Sequence, residues 1–273
     1  MPDPATATDA AEAVARAHGV RCEEAVRLPG ASNVLVHLRP APVVARVMTA
    51  TALLHDDVAT WLRRELAVGA FLGTRDLAIP PSPLLPPGPH RHAGLWMTFW
   101  TFAEHEPATA PPPPRELGAA LRALHATLAE FPGALGPLDD VRAWLDRLLA
   151  GLRPTAELPA AERDRLRARL HALAPTAFAG ADAQPIHGDA SVSNLLRTPA
   201  GLRWNDLEDA CVGPPAWDVA GLVLDLRSRG ADEADVDAFL RAYGGPALGE
   251  LADALEAHAV YATTWRAFTA QRP

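Results

Sequence analysis

The chain contains no lysine: all 25 of its basic residues are arginine. Isoleucine is almost missing as well, represented only by Ile79 and Ile186, while alanine is abundant, the mark of a GC-rich coding bias. The absence of lysine has a chemical consequence, because a phosphate held by a side-chain cation must here be held by arginine. Two cysteines, Cys22 and Cys211, are too few for a disulfide framework and suit a reducing, cytoplasmic setting. The start, Met1-Pro2-Asp3-Pro4, lacks the basic and apolar regions of a signal peptide. No run approaches the roughly 20 apolar residues of a membrane span. A net charge of −8 argues against nucleic acid as a partner.

What is present is a 273-residue chain with 49% hydrophobic and 21% charged residues, long enough for two lobes that each bury a core. Thr8–His18 reads as a helix stopped by Gly19, followed by β-like runs at Glu24–Leu28, Val34–Leu38 and Val43–Met48. Asp56–Leu72 carries apolar residues at helical spacing, Pro80–Pro89 is a loop, and Leu95–Phe102 is an apolar strand leading into a connector. Helices are expected afterwards at Arg115–Ala129, Asp139–Leu149, Ala160–Leu173, Trp217–Arg229, Glu233–Tyr243 and Leu248–Phe268. The one β signal among them is a hairpin formed by Leu195–Arg197 and Leu202–Trp204 around Thr198-Pro199-Ala200-Gly201. The expected organisation is α+β: a β-rich lobe over 1–100 and a mainly helical lobe over 101–273.

The chemistry concentrates in His187-Gly188-Asp189-Ala190-Ser191-Val192-Ser193-Asn194 and in Asp206 beyond the hairpin. An Asp, an Asn five residues later and a second Asp seventeen residues later are the polar groups of kinase-like phosphoryl transfer. One carboxylate takes the proton of an attacking hydroxyl, while an amide oxygen and the second carboxylate suit Mg²⁺, which prefers hard oxygen donors. A lone HxD occurs often by chance; the full set on loop, strand, turn and strand is far more specific.

These residues resemble the aminoglycoside phosphotransferase family, kinase-like small-molecule phosphotransferases related to choline and homoserine kinases. Gly188 matches the family's HGDxxxxN loop, and Asp206, Glu208, Gly213, Pro214 and Asp218 match D-x-E-x-x-x-x-G-P-x-x-x-D. The resemblance runs from about Leu28 to the C-terminal helices. It implies a protein-kinase-like bilobal fold, ATP or GTP with Mg²⁺, and a small-molecule hydroxyl acceptor. By the same resemblance Asp189 is the catalytic base, Asn194 and Asp206 hold metal, and His187 and Asp218 support the catalytic loop. Glu208 either reaches metal through water or faces solvent.

Arg46 stands at the strand position of the phosphate-binding lysine, with Glu65 as its expected partner; an ordinary surface ion pair is the plain alternative. Gly30-Ala31-Ser32-Asn33 resembles a G-x-S-N turn in which Ser32 and Asn33 meet nucleotide phosphates, or it is simply a hairpin turn. Met97, Thr98 and Trp100, in the stretch Met97-Thr98-Phe99-Trp100, are expected at the hinge that holds the purine.

Charge is unevenly distributed. From Asp206 to Glu256 twelve acids face three arginines, a segment of −9, and the rest of the chain sums to +1. Either these acids coat solvated helices, or they draw in a cationic acceptor with Asp225 facing the cleft. Two other classes compete with the kinase reading. A pseudokinase that only binds a nucleotide or protein would have lost Asp189, Asn194 or Asp206. A metal hydrolase built on His187 and Asp189 would need further histidines at ligand spacing, and the nearest upstream, His171, sits in a helical pattern.

Overall fold

A computed structural model describes residues 3–30, 33–49, 57–106, 111–156 and 158–271. The chain divides into two compact units, one formed by 1–106 and 196–208, the other by 107–195 and 209–273.

The first unit is built on an antiparallel sheet. Helix α1 (Pro4–Ala17) precedes strands β1 (Cys22–Leu28), β2 (Val34–Pro40) and β3 (Val43–Val47). Helix α2 (Val58–Gly73) follows, then β4 (His90–His92) and β5 (Leu95–Thr101). The strand order is β1-β2-β3-β5-β4. Small apolar residues on one stripe of α1, Ala7, Ala10, Ala11 and Val14, pack on the sheet with Val36, Leu38, Val43, Ala45 and Met97. Asp57 accepts a hydrogen bond from the Thr60 backbone N–H (3.0 Å), an N-cap that fixes where α2 begins. Short β4, with its three residues His-Arg-His, was not expected, because it gains strand character only by pairing with β5.

Strand β5 covers nearly the whole of the expected Leu95–Phe102 run. Within it, Met97, Thr98 and Trp100 pair with Val47, Arg46 and Val44 of β3. Met97 and Thr98 are fully buried, and Trp100 packs on Gly69 of α2, where an added Cβ would lie 2.6 Å from the indole. The side chains of Met97 and Thr98 belong to the interior of this unit, while Trp100 is half-buried.

The hairpin of β7 (Leu195–Thr198) and β8 (Gly201–Trp204) forms as expected. From Leu196 onward it joins the first unit: the backbone of Trp204 exchanges hydrogen bonds with Leu77 (2.8 Å) and Ile79 (2.9 Å).

The second unit is mainly helical, with α3 (Pro114–Leu128), α4 (Asp139–Gly151), α5 (Ala160–Ala172), α6 (Ala216–Ser228), α7 (Glu233–Tyr243) and α8 (Ala252–Ala270). Two further three-residue strands, β6 (Gln184–Ile186) and β9 (Cys211–Gly213), pair antiparallel, β6 leading directly into His187. Each is too short to leave a periodic trace in sequence, and both were missed. Helices α3 and α7 meet backbone to backbone at Gly118, where a Cβ would lie 2.3 Å from the Phe239 carbonyl oxygen. That close approach sets His125 of α3 against Tyr243 of α7. Leu145, Leu149, Leu166, Leu170, Phe178 and Trp217 form the unit's core with Ala257 and Val260.

Candidate active site

In the second unit, the loop from His187 to Asn194 is held along most of its length by one helix. Asp218, in the first turn of α6 and fully buried, accepts the backbone N–H of His187 at Oδ2 (2.8 Å) and that of Gly188 at Oδ1 (3.0 Å). Its neighbour Trp217 donates its indole N–H to the Gly188 carbonyl (2.7 Å). Two turns along α6, Asp225 accepts the backbone N–H of Val192 (2.8 Å) at Oδ2, and Arg229 donates to its Oδ1 (2.9 Å). Bonds of this kind to a carboxylate are stronger than neutral ones, so the loop geometry is firmly set.

Gly188 is dictated by the same packing. Its φ is +85°, and a Cβ would sit 2.1 Å from the Asp209 carbonyl oxygen, so no larger residue fits. The buried His187 ring takes the Asp189 backbone N–H at Nδ1 (3.3 Å). The Asn194 side-chain amide nitrogen donates to Asp189, both to its carbonyl (2.9 Å) and to its carboxylate Oδ2 (3.1 Å). Asn194 therefore fixes the orientation of the Asp189 carboxylate. With its nitrogen engaged, its oxygen is the end suited to a hard cation.

Sequence reasoning missed the support beneath Asp218. His125 Nε2 lies 2.9 Å from Asp218 Oδ2, and its Nδ1 lies 2.9 Å from the Tyr243 hydroxyl. Burial raises the Asp218 pKa, but the hydrogen bond and charge of His125, the charge of His187 and the His187 N–H together outweigh it. The carboxyl is held below its ordinary range. Burial and the charges of Asp218 and Asp182 push Tyr243 up to about 12. His125 lies 93 residues from Asp218, and nothing local in the sequence announces the pairing. Trp217 was legible only as a helical residue.

In the first unit, Arg46 is the centre of a carboxylate cluster. Its Nη1 lies 2.9 Å from Glu65 and 2.5 Å from Asp206, and its Nη2 bonds to Glu208. The side chains of Arg46 and Glu65 are 7% and 0% exposed, so this is no ordinary surface pair. Glu208, 10% exposed, neither faces solvent nor stands apart, since its carboxylate is on Arg46. Trp61 of α2 donates its indole N–H to the Glu208 carbonyl (2.8 Å). Asp206 has φ +56°, a left-handed conformation that aspartate tolerates better than most residues, and its side chain is 40% exposed. A partly exposed carboxylate in a restrained conformation is a suitable donor for a divalent cation.

Other expected residues have different surroundings. Asn33 Oδ1 accepts the Thr49 backbone N–H (3.2 Å), tying the start of β2 to the end of β3. Ser32 lies outside the described residues. The acids of α7 are engaged locally: Asp232 caps the helix through Asp235 N–H (2.9 Å), Glu233 pairs with Arg227 and Asp237 with Arg241. Asp225, expected toward an acceptor, has both oxygens on Val192 and Arg229. His171 pairs with Asp146 (2.7 Å), and no cluster of three or more His, Cys, Asp or Glu suited to a metal occurs among the described residues.

The model of the phosphotransferase enzyme family matches residues 7–255. The chain belongs to that family. No curated protein matches it in sequence. Among solved structures it is similar to the choline kinase LicA from Streptococcus pneumoniae, with 15% identity over 96% of this chain and 90% of that one and a TM-score of 0.70. Amicoumacin kinase hAmiN, in a complex with AMP-PNP, Ca²⁺ and Ami, gives 14% identity, 98% and 88% coverage and a TM-score of 0.71. Aminoglycoside phosphotransferase APH(3'')-Id from Streptomyces rimosus gives 16% identity, 92% and 97% coverage and 0.68. At these identities the likeness establishes the fold, the α+β protein-kinase-like one of the family. No described helix is long and apolar enough to cross a membrane.

Proposed function

We propose that this member of the phosphotransferase family is a cytoplasmic kinase that moves the γ-phosphoryl of ATP or GTP, with Mg²⁺, to a hydroxyl of a small molecule. The observation that carries the reading is Asp189 itself. It is a half-buried carboxylate oriented by Asn194, on a loop whose backbone is bonded to Asp218, Trp217 and Asp225. A carboxylate so fixed can accept a hydroxyl hydrogen bond and hold the oxygen in line for attack, taking the proton as the new P–O bond forms. The phosphoryl group then leaves the nucleoside diphosphate, and the products are a phosphate ester and ADP or GDP.

Asn194 and Asp206 supply the hard oxygen donors for Mg²⁺, whose role when bound is to neutralise charge on the nucleotide phosphates. Arg46 is the phosphate cation, in keeping with the absence of lysine. His187 and Asp218 shape the loop, and Asp225 is assigned with them as a loop anchor. The acceptor is proposed to carry a cationic nitrogen, as the amino groups of aminoglycosides and the quaternary ammonium of choline do, which the net charge of −8 favours by long-range attraction. A panel of amino sugars, amino alcohols and amino-bearing antibiotics, assayed for acceptor-dependent nucleotide consumption with the product identified by mass, tests this. A phosphorylated product supports it; nucleotide binding with no turnover on any acceptor supports a pseudokinase.

A further inference from the structure

The arginine at position 46 raises a problem that a lysine would not. An ammonium is a compact point charge that a single carboxylate can hold, whereas a guanidinium is a planar fork whose far nitrogen also needs an acceptor when buried. Arg46 is buried, and its two terminal nitrogens go to different acids: Nη1 to Glu65 and Asp206, Nη2 to Glu208. Glu208 is itself held in place, because Trp61 donates to its carbonyl. Trp61 and Glu65 are one turn apart on α2, so a single helix face sets both acids that grip the fork. Three carboxylates therefore gather around one guanidinium, an arrangement that favours the arrival of further positive charge.

We propose that Glu208 is a positioning residue that makes arginine competent as the phosphate-binding cation here: Glu65 and Glu208 each hold one nitrogen and fix the plane of the guanidinium. The donor now shared with Asp206 becomes available to a phosphate oxygen when Asp206 is engaged by a cation. Arg46 and Glu208 are thus a matched pair, and a lysine at 46 would leave the Glu208 carboxylate buried without its partner. This inference rests on the phosphotransferase reading.

The test is a double-mutant cycle of wild type, Arg46→Lys, Glu208→Gln and the double variant, read by calorimetric Kd for Mg·ATP and Mg·GTP and by thermal midpoint. Glu208→Gln is expected to weaken nucleotide binding about tenfold, on the order of 1.4 kcal/mol, and to leave the acceptor KM unchanged. The double variant should bind nucleotide no more weakly than Arg46→Lys alone, so the two effects are strongly non-additive. Glu208→Asp, which keeps the charge but withdraws it by one methylene, should fall between wild type and Gln; it carries the test if the Gln variant fails to fold. Wild-type nucleotide affinity in Glu208→Gln, or additive losses in the cycle, would overturn the pairing while leaving the kinase assignment standing. A wild-type protein that binds neither nucleotide would remove the assignment and this inference together.

Discussion

Asp218 holds the backbone N–H of His187 2.8 Å from its Oδ2, with the adjacent Gly188 N–H on the other oxygen. A fully buried carboxylate thereby shapes the first half of the His187–Asn194 loop, with His125 beneath it as third partner. Asp218→Ala should cost about 3–5 kcal/mol of stability, because it leaves His125 and two loop N–H groups without their acceptor. Asp218→Asn, which keeps one acceptor oxygen, should cost less. Urea unfolding of both variants measures the difference, and wild-type midpoints would show that the loop does not depend on Asp218.

His258 gives a pH signature. It lies in α8 against the Trp217 and Tyr261 rings, and burial lowers its pKa to about 4, against opposing charges from Asp218 and Asp225. Between pH 6.5 and about 4 the unfolded chain binds a proton there that the folded protein refuses. Stability is therefore full above pH 6.5 and falls as pH drops toward 4, by about 3 kcal/mol for this one group. The difference in stability between wild type and His258→Leu should narrow or reverse over that window. Parallel curves for the two proteins would mean that His258 contributes nothing to acid sensitivity.

Asp225 separates two roles. As an anchor of Val192 it should act on the reaction itself, so Asp225→Ala lowers kcat about tenfold to a hundredfold through a misplaced loop. The acceptor KM should stay near the wild-type value. A raised acceptor KM with kcat intact would return Asp225 to the acceptor site.

How far the sequence discloses this site depends on distance along the chain. Asp189 and Asn194 are five residues apart on one loop, so their proximity was legible from their spacing. The hairpin to Asp206 was equally local. His125 of α3 lies 93 residues from Asp218 of α6 and meets it only in the folded chain. Strands β6 and β9 exist through mutual pairing, so neither is written in local composition, whereas the end of β5 at Thr101 was legible to within one residue. Helical arithmetic correctly placed Asp225 two turns beyond Asp218. It did not reveal that the loop, through Val192, is what meets it there.

Metal dependence tests Asn194 and Asp206. Mg²⁺ should raise nucleotide affinity in the wild type and do so much less in Asn194→Ala or Asp206→Ala, since each removes a hard oxygen donor. Calorimetric titrations with and without Mg²⁺ compare the three proteins. Equal metal responses would place the cation elsewhere.

The most direct measurement is kcat and nucleotide Kd for Asp189→Asn, using the acceptor found by the panel. The amide keeps the size of the side chain but cannot accept the hydroxyl proton. A base contributes about 10²–10⁴-fold, so kcat should fall at least a hundredfold while nucleotide Kd stays within about twofold. Turnover at the wild-type rate would contradict the account, because Asp189 would then take no part in phosphoryl transfer.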